Sequence, residues 1–301
     1  MISRSLRNII RMISIGLIFI GIFTSCASFK HNYPKGNFHF MVFSDVHISN
    51  DESKDKRLAE MVERINSGEF PDVKFLIFTG DNVSSFYQRR DNGDGFDNNR
   101  AAKFISILKP LKIPYYIVLG NHDYKLDHNV DSDAPFSFNQ IDTMETLWKK
   151  FANLKPYYAV DYGGWKFLML NSMRGRYLDR SFDDEQLKWF KTQLEENKPT
   201  LLFFHHPVRT DKVHLWCKPG GTITRDEEPD FFSLIDMYKN NIKGIFVGHG
   251  HMWVSGELDQ TIPVYETNSF GESTIYPFYL IGINNKSDSF DISRSPIDFD
   301  E

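Results

Sequence analysis

Six apolar runs of five or six residues set the strongest limit on what this chain can fold into. They lie at Phe38 to Phe43, Lys74 to Phe78, Tyr115 to Leu119, Lys166 to Leu170, Thr200 to Phe204 and Ile242 to Val247. Runs this short and this continuously apolar suit strands buried on both faces. Helical patterns lie between them. Leu58, Met61, Val62 and Ile65 fall at i, i+3, i+4 and i+7 and are closed by Gly68; Ala101, Phe104, Ile105 and Leu108 precede Pro110; Leu187, Phe190 and Leu194 follow an acidic first turn. Strands alternating with helices imply an α/β fold with helical layers on the sheet faces. Shorter segments at Ile262 to Glu266, Pro277 to Ile283 and Ser289 to Ser293 predict an antiparallel extension. Insertions at Ser84 to Asn99, Tyr124 to Ala134 and Pro207 to Pro229 read as loops around a site. The acidic stretch within the first of these lacks the spacing and closing Glu of an EF-hand, so it reads as a solvated turn.

Six of the ten histidines follow the ends of the apolar runs: His47, His122, His205, His206, His249 and His251. Neighbouring strand ends in an α/β sheet open on one crevice, so these residues are expected to meet in space despite their separation in sequence. Asp45, Asp81 and Asn121 join them. The resulting nitrogen and oxygen set suits two borderline divalent ions, such as Zn, Mn or Fe, better than Ca or Mg, which prefer all-oxygen shells. Taken singly, each residue has a structural alternative: a strand-end turn at Asp45 and His47, a helix start at Gly80-Asp81, a satisfied core histidine at His205. Recurrence at five strand ends is what points to metal. A structural mononuclear site would need a closed set of four ligands, and more candidates than that are present.

The order Asp45-x-His47, Gly80-Asp81, Gly120-Asn121-His122-Asp123, His205-His206-Pro207, Gly248-His249-Gly250-His251 resembles the calcineurin-like metallophosphoesterase superfamily. Asn171-Ser172 through Ser181 to Trp189-Phe190 also resembles the variable strand and Gln-x-x-Trp helix of that family's cyclic-nucleotide phosphodiesterase and acid phosphatase branches. The resemblance implies a four-layer α-β-β-α sandwich with two mixed sheets and two metals at the sheet edges. It makes Asp45, His47 and His251 ligands of one ion, Asn121, His205 and His249 ligands of the other, and Asp81 the bridge. The family pattern places a ligand two residues before the proline, which selects His205 and leaves His206, like Asp123, to support the ligands or face substrate. It also implies hydrolysis of a phosphomonoester or phosphodiester, with a metal-bridging hydroxide attacking phosphorus in line and His122 protonating the leaving alkoxide. Ser84 stands where phosphatases of the superfamily often have an Asp orienting that histidine, and where purple acid phosphatases have a tyrosine ligand. The Asp-His dyad and a purple iron centre are therefore not expected. The competing reading is a non-catalytic envelope lipoprotein using a degenerate copy of the fold as a binding module; every expected ligand position is filled, which disfavours it.

Substrate is less legible. Arg174, Arg176 and Arg209 fall in rim loops and are candidates to hold a terminal dianion, with solvated surface as the alternative. Tyr124, Trp216, Trp253 and Phe270 lie just beyond motif residues and are candidates to stack on a base or lipid chain, with core packing as the alternative. About fifty residues follow His251, too few for the second C-terminal domain of periplasmic 5'-nucleotidases.

The N-terminus carries Arg4, Arg7 and Arg11, then an apolar run from Met12 to Phe23, then Thr24-Ser25-Cys26. Those twelve residues would span ~18 Å as a helix, short of a ~30 Å hydrocarbon core, so a signal peptide is favoured over a transmembrane anchor. The segment resembles a bacterial lipoprotein signal with a loose lipobox, Phe23 standing where Leu is usual. The expected organisation is a signal peptide over 1–25, a lipid-anchored tether over 26–36 beginning at lipidated Cys26, and one metallophosphoesterase domain over 37–301, exported to the cell envelope. Lipidation would leave Cys217, the only other cysteine, without a disulfide partner. Losing three arginines takes 35 basic residues to 32 against 40 acidic ones, a charge of −8, which disfavours general nucleic-acid binding.

Overall fold

Each apolar run becomes a strand, and the strands sort into two sheets. The first sheet contains β1 (Phe38–Phe43), β2 (Val73–Phe78), β5 (Tyr115–Ile117), β12 (Phe278–Asn284) and β13 (Ser289–Ser295), in the order β13-β12-β1-β2-β5. The second contains β6 (Tyr158–Tyr162), β7 (Trp165–Met169), β8 (Thr200–Phe203), β9 (Ile242–Val247), β10 (Val254–Leu258) and β11 (Ile262–Glu266), in the order β10-β11-β9-β8-β7-β6. In the first sheet the parallel run β1-β2-β5 forms one edge and antiparallel β12 and β13 lie on its other side; in the second, parallel β7-β8-β9-β11 lies between antiparallel β6 and β10. This computed structural model describes residues 33–90, 95–131, 134–212 and 221–295, without the side chain of Asn98. The expected signal peptide, Cys26, most of the tether, Trp216 and Cys217 lie outside the described residues.

The sheets pack face to face over an aromatic interior. Phe203 and Phe246 stack with centroids 5.2 Å apart, and Phe40 from the other sheet meets Phe167 edge-on at 5.3 Å. On the outer face of the first sheet lie α1 (Glu52–Asn66), α2 (Arg100–Leu108) and α3 (Phe138–Ala152); on that of the second lie α4 (Asp184–Leu194) and α5 (Pro229–Tyr238). The result is the expected four-layer α-β-β-α sandwich.

Local chemistry sets the helix ends. Asp51 caps α1 by accepting the Ser53 amide, and Ser137 with Gln140 forms a capping box on α3. The insertion at Ser84 to Asn99 is not all loop: β3 (Tyr87–Arg89) and β4 (Phe96–Asn99) pair as a hairpin, fastened by stacking of Tyr87 on Phe96. Residues 91–94 at its tip lie outside the described residues.

Candidate metal centre

The chain turns sharply as it leaves the central strands. Asp45, His47, Asp81, His249 and His251 all have positive φ, between 51° and 75°. Left-handed backbone at non-glycine residues costs ~1 kcal/mol or more each and gathers where function requires it. The turns need close approach of backbone. A Cβ on Gly120 would collide with Asp81 Oδ1 and His205, and one on Gly248 with Ser44 and Asp45.

Seven predicted side chains converge. His47 Nε2 lies 3.2 Å from His251 Nε2, and Asp45 Oδ1 lies 3.7 Å and 3.1 Å from those same atoms. Beside them, Asn121 Oδ1 is 3.0 Å from His205 Nε2 and 3.1 Å from His249 Nδ1, which are themselves 3.3 Å apart. Asp81 Oδ2 stands between the two groups, 3.7 Å from His47 Nε2 and 3.3 Å from His205 Nε2.

The donor set fits two divalent ions. Ligands each ~2.1 Å from a shared ion stand ~3.0 to 3.4 Å from one another, close to the spacings seen. The Asp45 carboxylate is divided to match. Its Oδ2 accepts the Ser44 hydroxyl at 2.5 Å and the His249 amide at 3.1 Å, whereas Oδ1 is buried and faces only the ring nitrogens of His47 and His251. A buried carboxylate oxygen facing ring nitrogens needs a cation beside it, either a divalent ion or a protonated imidazole such as His251.

Backbone and carboxylate partners aim the rings. His205 Nδ1 is 3.0 Å from the Thr79 carbonyl, which turns Nε2 inward, and His251 Nδ1 is 2.9 Å from Glu272 Oε2. Burial alone would raise the Asp81 carboxyl, but the charge of adjacent His205 holds it well below the usual range. Burial would likewise lower His205, and Asp81 instead carries it up to about 9. Burial, and then His205, push His249 down to about 4. A divalent cation would take the place of the His205 proton, so loading such a site releases protons.

The remaining predicted residues take distinct positions. His122 sits at the edge of the cluster, its ring 4.8 Å from that of His47, its amide donating to Asp81 Oδ1 at 2.8 Å. Its Nδ1 is 3.0 Å from the carbonyl of Ser84, so main chain orients the ring where a carboxylate was missing from the sequence. His206 packs its ring beside those of His205 and His249, with centroids 5.2 Å and 4.8 Å away, and its Nδ1 lies 2.7 Å from Ser172 Oγ. Asp123 faces inward, fully buried, and accepts from the amides of Gly120, Asn82 and Val83; it braces the loop and does not face substrate.

The rim corrects several alternatives. Arg174 is held by Glu145, Asp183 and Glu185, and so is not placed as a substrate clamp. Tyr124 and Phe270 are core residues, Trp253 packs edge-on against Tyr279 at 4.7 Å, and Arg209 is exposed. Ser44, Thr79, Glu266 and Glu272 support the site without having been legible as site residues. No spacing in the sequence marks them.

A two-sheet sandwich that gathers Asp, Asn and His donors from its strand ends defines a metal-assisted hydrolase. Residues 38–253 match the calcineurin-like phosphoesterase family, and the chain belongs to it. It is a phosphoric ester hydrolase by that membership. A relative from Fibrobacter succinogenes, named a probable cyclic nucleotide phosphodiesterase, is 26% identical over 236 residues, 73% of this chain and 76% of that protein. A second of the same name from Synechococcus is 28% identical over 98 residues, 32% of this chain and 36% of the relative. The crystal structure of a dimetal phosphatase from Danio rerio shares the fold, with a TM-score of 0.59 at 12% identity over 83% of this chain and 94% of that one.

Proposed function

We propose that this hydrolase cleaves a phosphodiester using two divalent ions, one held by Asp45, His47 and His251, the other by Asn121, His205 and His249, with Asp81 shared between them. The observation that carries this reading is a buried cluster in which Asp45 Oδ1 and the ring nitrogens of His47 and His251 face one another at ligand spacing. Two bound ions would supply an acidified water and electrostatic stabilisation of the phosphoryl group. The protein's own part is positional and protonic. With Nδ1–H donated to the Ser84 carbonyl, His122 presents Nε2 toward the cluster; burial disfavours the imidazolium and Asp81 favours it, and in that form Nε2–H is the proton passed to the departing alkoxide, leaving the neutral ring. The diester preference draws support from the relatives named cyclic nucleotide phosphodiesterases and from the ion pairs that occupy Arg174. We also propose, from the sequence alone, export and anchoring through Cys26.

The test is metal analysis of the protein paired with hydrolysis of a bis-aryl phosphodiester and an aryl phosphomonoester. About two ions per chain and faster turnover of the diester are expected. Protein that binds no Mn, Zn or Fe and stays inert supports the binding-module alternative. In the same assay His122→Ala should slow alkyl esters by ~10² or more while sparing aryl esters, since only a poor leaving group needs the proton.

A further inference from the structure

The ring of His122 is set by groups on two other loops. On one side stands the ring of His47, edge-on at 4.8 Å; on the other is the Ser84 carbonyl, 3.0 Å from Nδ1. His47 leads into residues 48–50, and Ser84 belongs to the turn that follows Asp81. The two loops meet where Ile48 bridges Val83 and the Ser84 amide donates to the Ile48 carbonyl at 3.0 Å.

Beyond that bridge one side chain clasps both loops. Arg100, the first residue of α2, is only 6% exposed. Its Nη2 donates to Asn50 Oδ1 at 3.0 Å, on the loop that follows His47. Its Nη1 donates to Ser85 Oγ and, at 3.4 Å, to the Tyr87 carbonyl, both next in line after Ser84. The Ser85 hydroxyl donates in turn to the Tyr87 carbonyl at 2.9 Å, and the Arg100 amide donates to the Phe86 carbonyl at 2.9 Å. The segment held in this way also braces the far end of the His122 turn, because the amides of Phe86 and Tyr87 donate to the carbonyls of Lys125 and Leu126 at 2.8 and 2.9 Å.

The acceptors of the guanidinium are all neutral, and its Nε is buried without a hydrogen bond among the described residues. Packing alone would be served at less desolvation cost by an apolar side chain of similar volume. What the planar fork adds is direction: two rigidly related nitrogens meet two loops in one geometry, which the single ammonium of a lysine does not reproduce. We propose that Arg100 is a positioning residue for proton donation: by clasping Asn50 and Ser85 it fixes the Ser84 carbonyl relative to His47, and so aims His122 Nε2 at the leaving oxygen.

Arg100 acts in this way only if His122 is the proton donor, so the inference rests on that reading, and the experiment separates the two. Metal-loaded protein is assayed on methyl 4-nitrophenyl phosphate and on dimethyl phosphate, which retain the same methyl group and differ in the leaving oxygen. Arg100→Lys should lower kcat for the dimethyl ester relative to the nitrophenyl ester by about tenfold, with KM little changed, because a misdirected donor slows only the step that needs its proton. Asn50 is exposed, so Asn50→Ala opens one arm of the clasp without disturbing the interior, and it should lower the same ratio. In a His122→Ala background neither substitution should lower the ratio further by more than about twofold, since the group they aim is gone. A wild-type ratio in either single variant, or a full loss that persists without His122, would overturn the positioning role. Equal slowing of both esters with reduced metal content would make Arg100 a support of the metal loops and overturn it as well. If His122→Ala slows both esters equally, or the wild type cleaves the nitrophenyl ester alone, the donor assignment fails and the inference with it. Inertness toward both esters would remove the phosphodiesterase reading itself.

Discussion

Gly250 has its two neighbouring histidines in the metal cluster, and the residue behind it is Glu266, buried to 2% exposure at the end of β11. A Cβ on Gly250 would strike Glu266 Oε1, so the glycine is required by the carboxyl behind it. Burial, and then the charge of Asp45, push Glu266 from 4.5 up to about 8. The folded chain holds this proton more tightly than the unfolded one. The contribution is therefore complete below pH 4.5 and is lost as pH rises through about 8. Glu266→Gln removes the titration, and its stability relative to wild type should rise between pH 5 and 8.5 by up to ~4 kcal/mol. Urea midpoints of the two proteins at both pH values measure this, and a pH-independent difference would count against it. At this scale the sequence reveals the ligand candidates, because histidines at strand ends stand out against apolar runs. Glu266 and Glu272 do not stand out, since a carboxylate that supports a ligand carries no periodicity of its own. The Ser84 position shows the same limit: the sequence marks a missing side chain, while the main chain supplies the hydrogen bond.

Among the elements, α3 and α4 are joined through one guanidinium. Arg174 reaches Glu145 on α3, Asp183 at the N-cap of α4 at 2.8 Å, and Glu185 in its first turn at 3.4 Å. Tyr124 extends the network, its hydroxyl donating to Glu145 at 2.9 Å and accepting from Asn171 at 2.7 Å. Removing the arginine would leave two largely buried carboxylates without their cation, so Arg174→Met should cost ~3 to 5 kcal/mol. Adding Glu145→Gln should recover part of that loss, because the pair is coupled. Thermal melts of the single and double variants check both expectations, and strict additivity would refute the coupling. The six central strands and three of the helices are legible in the sequence because full burial leaves unbroken apolar runs or clear stripes. The antiparallel edge strand β6 is half-buried to exposed and leaves a weaker pattern, and α3 buries only Ile141, Met144 and Trp148 of its fifteen residues. The residues of α5 begin at Pro229, where the sequence reading ended a loop.

For the molecule as a whole, the proposed ligands come from both layers of the sandwich. Asp45, His47, Asp81 and Asn121 follow strands of the first sheet, whereas His205, His249 and His251 follow strands of the second. Bound ions would therefore tie the sheets together at the edge where the chain is most strained. Each ion at a concentration about a hundredfold above its dissociation constant adds ~2.7 kcal/mol to the folded state, so two sites add ~5 kcal/mol. At ~2 to 4 °C per kcal/mol for a chain of this size, chelation should lower the melting temperature by ~10 °C or more, and restoring Mn or Zn should reverse it. Asp81 sits between the two groups of donors, so Asp81→Ala should abolish most of that metal-dependent shift together with turnover. The melting shift is independent of substrate and so reads the centre directly. A wild type that binds two ions yet melts at the same temperature with and without them would show that the metals do not join the sheets. A full shift retained in Asp81→Ala would remove Asp81 from the shared position.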